Sequence, residues 1–107
     1  MEDETQNIAA KKLISIFSGA SSGTAQQLEA LAALGRVGGA EAAKKLISIY
    51  GNASPGTAQQ LGAIAALGQV GGKEAAKKLI SIYENASPGT KQQIAAIKAL
   101  GEVGRAS

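Results

Sequence analysis

The chain has no cysteine and no histidine in its 107 residues. The absence of cysteine excludes disulfides, thiol nucleophiles and thiolate metal ligands, and it leaves the redox compartment undetermined. The one aspartate is Asp3, and the seven glutamates are spread along the chain, so no cluster with metal-ligand spacing can be drawn. No nucleophile stands with a base and an orienting acid. We therefore expect no enzyme activity, no catalytic residue, no metal and no cofactor.

Aromatic residues make up only 3% of the chain, although 45% of it is apolar. Alanine, leucine, isoleucine and valine must then fill the interior, and such small side chains let helix backbones approach closely. No apolar run approaches the roughly 18 to 20 residues of a membrane span, and the acidic start at residues 2–4 lacks the basic region of a signal peptide. We expect a soluble chain without a membrane partner. Its location is unassigned, and it would be cytoplasmic when expressed without added signals.

What the chain does contain is a unit of 33 residues that occurs three times. Each repeat includes the run Ala-Ala-Lys-Lys-Leu-Ile-Ser-Ile, which begins at Ala9, Ala42 and Ala75. The repeats cover approximately residues 1–41, 42–74 and 75–107. A unit of this size cannot bury its own apolar face, so neighbouring units must stack and share a core. We predict a single all-α domain over residues 1–107, an α-solenoid of three 33-residue αα-hairpin repeats with six short helices.

The middle repeat shows how one unit divides into two helices. Apolar residues recur at helical spacing from Ala42 to Tyr50, and the proline-containing stretch 52–56 interrupts this pattern. Thr57 followed by Gln60 fits a capping box, whereas Ser54 before a proline fits an alternative N-cap. Both alternatives place the start of the second helix within residues 54–58.

Glycines mark the end of each repeat. Gly71 and Gly72 should end the second helix of the middle repeat, because glycine adopts left-handed geometry without a steric cost. Gly68 lies inside that helix and recurs as Gly35 and Gly101. Glycine within a helix costs about 1 kcal/mol relative to alanine, so we expect these positions to mark close helix crossings.

Departures from strict repetition occur where a stack would begin and end. Lys91 and Lys98 replace alanines of the earlier repeats, which predicts a polar outer face on a capping last repeat. Glu2, Asp3 and Glu4 place negative charge near the first helix N-terminus, where the macrodipole favours it. We therefore predict a stack finished at both ends.

The run from Ala66-Leu67-Gly68 through Gly71-Gly72 to Leu79-Ile80 resembles the HEAT-like repeats of the phycobilisome lyase type and the artificial consensus repeats built from them. The resemblance covers both helices of the unit. It implies a right-handed α-solenoid that binds proteins through its concave face, without catalysis. Two departures are a unit slightly longer than the family's and glycine where the family often has aspartate, at Gly39 and Gly72. These departures imply a different turn and another curvature.

A second, weaker resemblance is to the DNA-reading repeats of TAL effectors. Residues 63–65, Ala-Ile-Ala, and residues 71–73, Gly-Gly-Lys, are similar to that family's pattern, although their separation differs. On that alignment Arg36, Gln69 and Glu102 would lie near the base-reading loop. The alternative interpretation, which we favour, is variable surface at a helix end.

Six lysines form a candidate binding feature with a regular spacing. They lie in pairs one repeat apart: Lys11, Lys12, Lys44, Lys45, Lys77 and Lys78. Such a lysine ladder could follow a phosphate backbone with salt-dependent affinity, but no arginine cluster or stacking aromatic accompanies it. The alternative, which we favour, is a solvated outer face. Phe17, Tyr50 and Tyr83 form a second row, interpreted as a core edge with the tyrosine hydroxyls in water rather than a binding stripe.

Three functional hypotheses remain. The second and third repeats share 24 of 33 positions, and we interpret this uniformity as the mark of a de novo or consensus-designed helical-repeat scaffold with no natural biochemical activity. Such a scaffold requires no partner. The alternatives are a protein-binding module that uses the concave face, and TAL-effector-like or lysine-ladder binding of nucleic acid, which the mild net charge of +3 disfavours. Self-association through the small residues and the end repeats is a further possibility.

Overall fold

A computed structural model describes residues 4–106, and over that range the chain forms six α-helices and no strand. The helices are α1 (Glu4–Gly19), α2 (Ala25–Val37), α3 (Gly39–Asn52), α4 (Ala58–Val70), α5 (Gly72–Asn85) and α6 (Lys91–Ala106). The prediction of an all-α chain with six short helices is confirmed. Glu4 begins α1, whereas Glu2 and Asp3, whose charges were predicted to favour this helix end, lie outside the described residues.

The turn between α3 and α4 is set by its sequence. The amide of Thr57 donates to the carbonyl oxygen of Ser54 at 3.3 Å, with Pro55 and Gly56 in the central positions. Gly56 has a φ of +78°, which suits the third residue of a type II turn and disfavours other residues. The Thr57 side chain then accepts from the amide of Gln60 at 3.2 Å, so Thr57 is the N-cap and α4 begins at Ala58, within the predicted interval.

The capping box itself is modified. The side-chain oxygen of Gln60 accepts from the amide of Gly56 at 2.8 Å, one residue before the N-cap. Gln27 and Gln93 make the same bond to Gly23 and Gly89. Each glutamine therefore ties the start of its helix to the preceding turn.

Replacing Gln27 by alanine should lower the free energy of unfolding by about 1 kcal/mol, because a hydrogen bond to the turn is lost. Gln27 is only 4% exposed, so its removal also leaves space at the helix start. The neighbouring Gln26 is exposed, and its replacement by alanine should change stability by less than about 0.5 kcal/mol. Urea unfolding of the two variants checks this, and equal losses would contradict the role assigned to Gln27.

The six helices associate as three consecutive pairs. Helix α1 contacts α2, α3 contacts α4, and α5 contacts α6. The even-numbered helices also pack against each other in order, α2 on α4 and α4 on α6, whereas the odd-numbered helices contact each other much less extensively. Within residues 4–106 the first and third pairs make no contact, so the outer faces of the two end pairs are not joined.

The molecule measures 40 × 31 × 17 Å along its principal axes. The short dimension matches two layers of helices, since packed helix axes lie about 8–10 Å apart. The radius of gyration of 12.7 Å is close to the roughly 13 Å expected of a globular chain of this length. The largest side chains that are completely buried are aliphatic: Leu31, Leu34, Leu46, Ile64, Leu67 and Leu79.

Glycine sets the spacing between the even-numbered helices, as the sequence predicted. A methyl group added to Gly35 would lie 2.9 Å from the carbonyl oxygen of Ala66. One added to Gly68 would lie 2.9 Å from both the Cα and the carbonyl oxygen of Ala99. These contacts join backbones, so a side chain at either glycine would push two helices apart. At Gly101, the same repeat position in α6, the prediction of a close crossing is wrong, because a methyl group there would meet no described atom within 4 Å.

The predicted polar cap on the last repeat is wrong in part. Lys91 and Lys98 are exposed, but Ile94 and Ile97 beside them are 50% and 52% exposed. The reason is helical geometry: Ile97 precedes Lys98 by one residue and therefore points about 100° away from it. Ile94 lies three residues after Lys91 and four before Lys98, so it shares their face of α6 and remains apolar between them.

Candidate functional site

The residues with potential for chemistry are dispersed. In the part of the chain that the structure describes, no three histidine, cysteine, aspartate or glutamate side chains come together to hold a metal ion. Among residues 4–106, no helix has both the length and the apolar character needed to cross a bilayer. The remaining candidates for a functional site are the surfaces of the helix pairs.

The lysine ladder lies on the odd-numbered helices and divides into two rows. Lys11, Lys44 and Lys77 are exposed. In the second row, Lys12 is exposed, whereas Lys45 and Lys78 are half-buried. The ammonium group of Lys78 lies 5.2 Å from the centre of the Tyr50 ring, which is cation–π geometry. One of the six charges is thus used between neighbouring helices.

Acidic side chains accompany the same ladder. Glu41 and Glu74 occupy the first turns of α3 and α5, three residues before Lys44 and Lys77. A spacing of three residues places these charges on neighbouring positions of one helix face. Their negative charge lowers the local positive potential that a phosphate backbone would need.

The aromatic row becomes more exposed along the chain. Phe17 is buried, Tyr50 is half-buried and Tyr83 is 41% exposed. Helix α5 brings Lys78 over the Tyr50 ring, whereas no helix pair follows Tyr83 in the described residues. The interpretation as a core edge fits Phe17 and Tyr50, whereas Tyr83 contributes to an exposed surface.

A groove of about 620 Å³ runs between α4 and α6, on the side away from the odd-numbered helices. Its lining includes the apolar side chains of Leu61, Ile94 and Ala95, with Lys91, Lys98, Gln69 and Glu102 around them. Sequence reasoning missed this groove. The signal available was the replacement of two alanines by lysine in α6, which we interpreted as a cap alone.

The three residues aligned with a base-reading loop lie in helices instead. Arg36 and Gln69 are exposed in the last turns of α2 and α4, and Glu102 is exposed within α6. Arg36 pairs with Glu29 at 3.1 Å, and Glu102 pairs with Arg105 at 3.7 Å. This arrangement fits variable surface near helix ends.

No family model matches the chain, and neither a curated protein nor a solved structure matches it significantly.

Proposed function

We propose that this protein is a non-catalytic scaffold, an α-solenoid of three stacked αα-hairpin repeats of the HEAT-like kind. The observation that carries the proposal is the recurrence of one interhelix contact at the repeat spacing. Gly35 faces Ala66, and 33 residues later Gly68 faces Ala99. A methyl group added to either glycine would lie 2.9 Å from the backbone of the facing alanine. A repeated contact of this kind is what a stack of equivalent units requires.

The two helix layers differ in density, which supports a curved stack. The even-numbered helices pack closely through glycine and alanine, and the odd-numbered helices contact each other less. Closer spacing in one layer bends the stack toward that layer, so the even-numbered helices form the concave side. The groove between α4 and α6 then belongs to the concave face.

The near-identity of the repeats supports a designed origin. Residues that make the contacts between units, such as Ala66 and Ala99, are repeated, and so are exposed residues such as Lys44 and Lys77. A surface selected for one asymmetric partner would differ between units. The proposed scaffold therefore has no natural ligand, and its function is to hold a rigid surface.

This proposal makes a prediction for nucleic acid. The chain should elute separately from mixed-sequence double-stranded DNA on a size-exclusion column, at both low and high salt, because the lysine ladder is interrupted by Glu41 and Glu74 and one of its members packs on Tyr50. Light scattering on the eluate measures the mass of each species. Co-elution at low salt that disappears at high salt would replace the scaffold proposal by lysine-ladder binding.

A further inference from the structure

An apolar surface covers the outer side of the last helix pair. We call it the tail face, and it consists of Ile80, Tyr83, Ile94, Ile97 and Gly101. The four large side chains are between 41% and 52% exposed. Ile80 and Tyr83 are three residues apart in α5, and Ile94 and Ile97 are three apart in α6, so each pair shares one helix face. A group of exposed large apolar residues of this kind marks an interaction surface.

The chain itself shows what covers such a surface. One repeat earlier, the same positions are Ile47, Tyr50, Leu61, Ile64 and Gly68. The following helix pair covers them: Ile64 is completely buried and the other large side chains are half-buried. The backbone of Ala99 lies directly against Gly68. The natural cover for the tail face is therefore another helix pair with an alanine in that place.

The first helix pair carries a surface that could cover the tail face, on the side away from the second helix pair. We call it the head face, and it consists of Lys12, Glu29, Ala33 and Arg36. Ala33 occupies the repeat position of Ala66 and Ala99, yet it is half-buried whereas they are buried. Lys12 occupies the position of Lys78, which packs over Tyr50, but Lys12 is exposed. Ala33 and Lys12 are thus the same residue types as their equivalents in the later repeats, but no preceding helix pair packs against them.

We propose that the tail face of one molecule binds the head face of a second molecule, which continues the stack by one step. Gly101 of the first molecule then receives the backbone of Ala33, as Gly68 receives Ala99. Tyr83 receives Lys12, as Tyr50 receives Lys78. The interface has the geometry of the contact between α3–α4 and α5–α6 transferred by one repeat. It differs in composition at the groove, where charged residues replace Ala65, Gln69 and Ala95.

Charge complementarity supports the same pairing. In the groove between α4 and α6, Ala65 and Gln69 lie on one side, and Ala95 and Glu102 lie on the other. The transferred groove has Lys98 and Glu102 of one molecule opposite Glu29 and Arg36 of the next. Each side offers one cation and one anion, so Lys98 can meet Glu29, and Glu102 can meet Arg36. Such pairing favours correct register between molecules.

This contact is heterologous, because it joins two different faces. Each molecule that binds leaves a free head at one end of the assembly and a free tail at the other, so growth does not stop at a dimer unless a ring closes. Pairing of two tail faces would stop at a dimer. It would also leave Gly101 without the alanine backbone that fits it.

The experiment measures molar mass by light scattering and sedimentation velocity, from micromolar to millimolar protein. We expect the mean mass to rise with concentration beyond that of a dimer. Gly101→Ala should weaken association at least about tenfold, because the added methyl group would meet the Ala33 backbone of the next molecule as one on Gly68 would meet Ala99. In the single molecule that methyl group meets nothing, so the fold should be retained.

Two further variants complete the test. Gly51→Ala makes the same change on an exposed part of α3 with open space around it, and it should leave association unchanged. Ala33→Lys should block the head face, and circular dichroism checks that the variant is folded. At the lowest concentration at which the unaltered chain assembles, chains with Gly101→Ala and chains with Ala33→Lys should each be mainly monomeric, whereas their mixture should form a dimer and nothing larger.

Three outcomes would overturn the proposal. The first is a monomer at every concentration, which would leave the tail face for a partner of another kind. The second is a dimer that does not grow, which would indicate pairing of like faces. The third is equal association by the variants at Gly101 and Gly51, which would place the contact elsewhere.

Discussion

Replacing Ile64 by alanine is expected to lower the free energy of unfolding by about 2–5 kcal/mol. Ile64 is 0% exposed and lies in α4 between the second and third helix pairs. Its removal deletes buried apolar surface and leaves a cavity, because close packing of the neighbouring α6 at Gly68 and Ala99 limits collapse. Urea unfolding at low micromolar concentration, followed by circular dichroism, measures the change.

Ile97 provides a matched control, since it has the same repeat position in α6 and is 52% exposed. Its replacement by alanine should cost less than about 1 kcal/mol, because most of the removed surface already faces water. The sequence context of the two isoleucines is almost the same, so the difference in stability loss measures how far each is covered by neighbouring helices. Similar losses for both variants would show that the second pair is not covered by the third in solution.

Much of the local structure could be predicted from the sequence. The turn at residues 54–57 follows from Pro55 and Gly56, and the start of α4 follows from Thr57. The close crossing at Gly68 could be predicted because glycine inside a helix has a cost that packing must offset. These features depend on a few neighbouring residues or on one repeated position, and the repeat shows each of them more than once.

The exposed tail face could not be predicted with the same methods. Whether Ile97 is buried depends on the presence of a neighbour and not on its own sequence, which matches that of Ile64. The lysines at 91 and 98 suggested a polar end, but Ile94 lies between them on the same face and stays exposed, and Ile97 lies on another row of α6. To know which residues of α6 are buried, one must know which side of α6 packs on α4, and only the structure provides this.

The hydrogen bond from Gly56 to Gln60 shows a second limit. The sequence indicated a capping box, in which Gln60 would return to the amide of Thr57. The structure has it accept from Gly56, because the amide of Thr57 already donates to the carbonyl oxygen of Ser54. The candidate functional surfaces were harder still, because the groove between α4 and α6 exists only where two repeats meet.

An additional repeat is expected to raise stability, and this outcome tests the proposed solenoid. The change is insertion of a second copy of residues 42–74 between Glu74 and Ala75, which keeps the repeat in register. In the new unit, the copy of Ala66 faces Gly68 of the repeat before it, and the copy of Gly68 faces Ala99 of the repeat after it. At roughly 0.05–0.15 kcal/mol per residue, the free energy of unfolding should rise by about 2–5 kcal/mol. The urea m-value should rise by about one third, because it scales with the surface exposed on unfolding.

A flexible glycine-serine segment of equal length at the same place is the control. It adds chain without contacts, so it should lower stability slightly through the entropy of loop closure. In a stack of equivalent units, each unit contacts only its neighbours, and the sum of unit and interface terms grows with their number. In a globule whose end pairs must keep fixed positions, an inserted unit would separate contacts that stability needs. A loss of stability or cooperativity with the inserted repeat, equal to or greater than that of the control, would therefore exclude the solenoid.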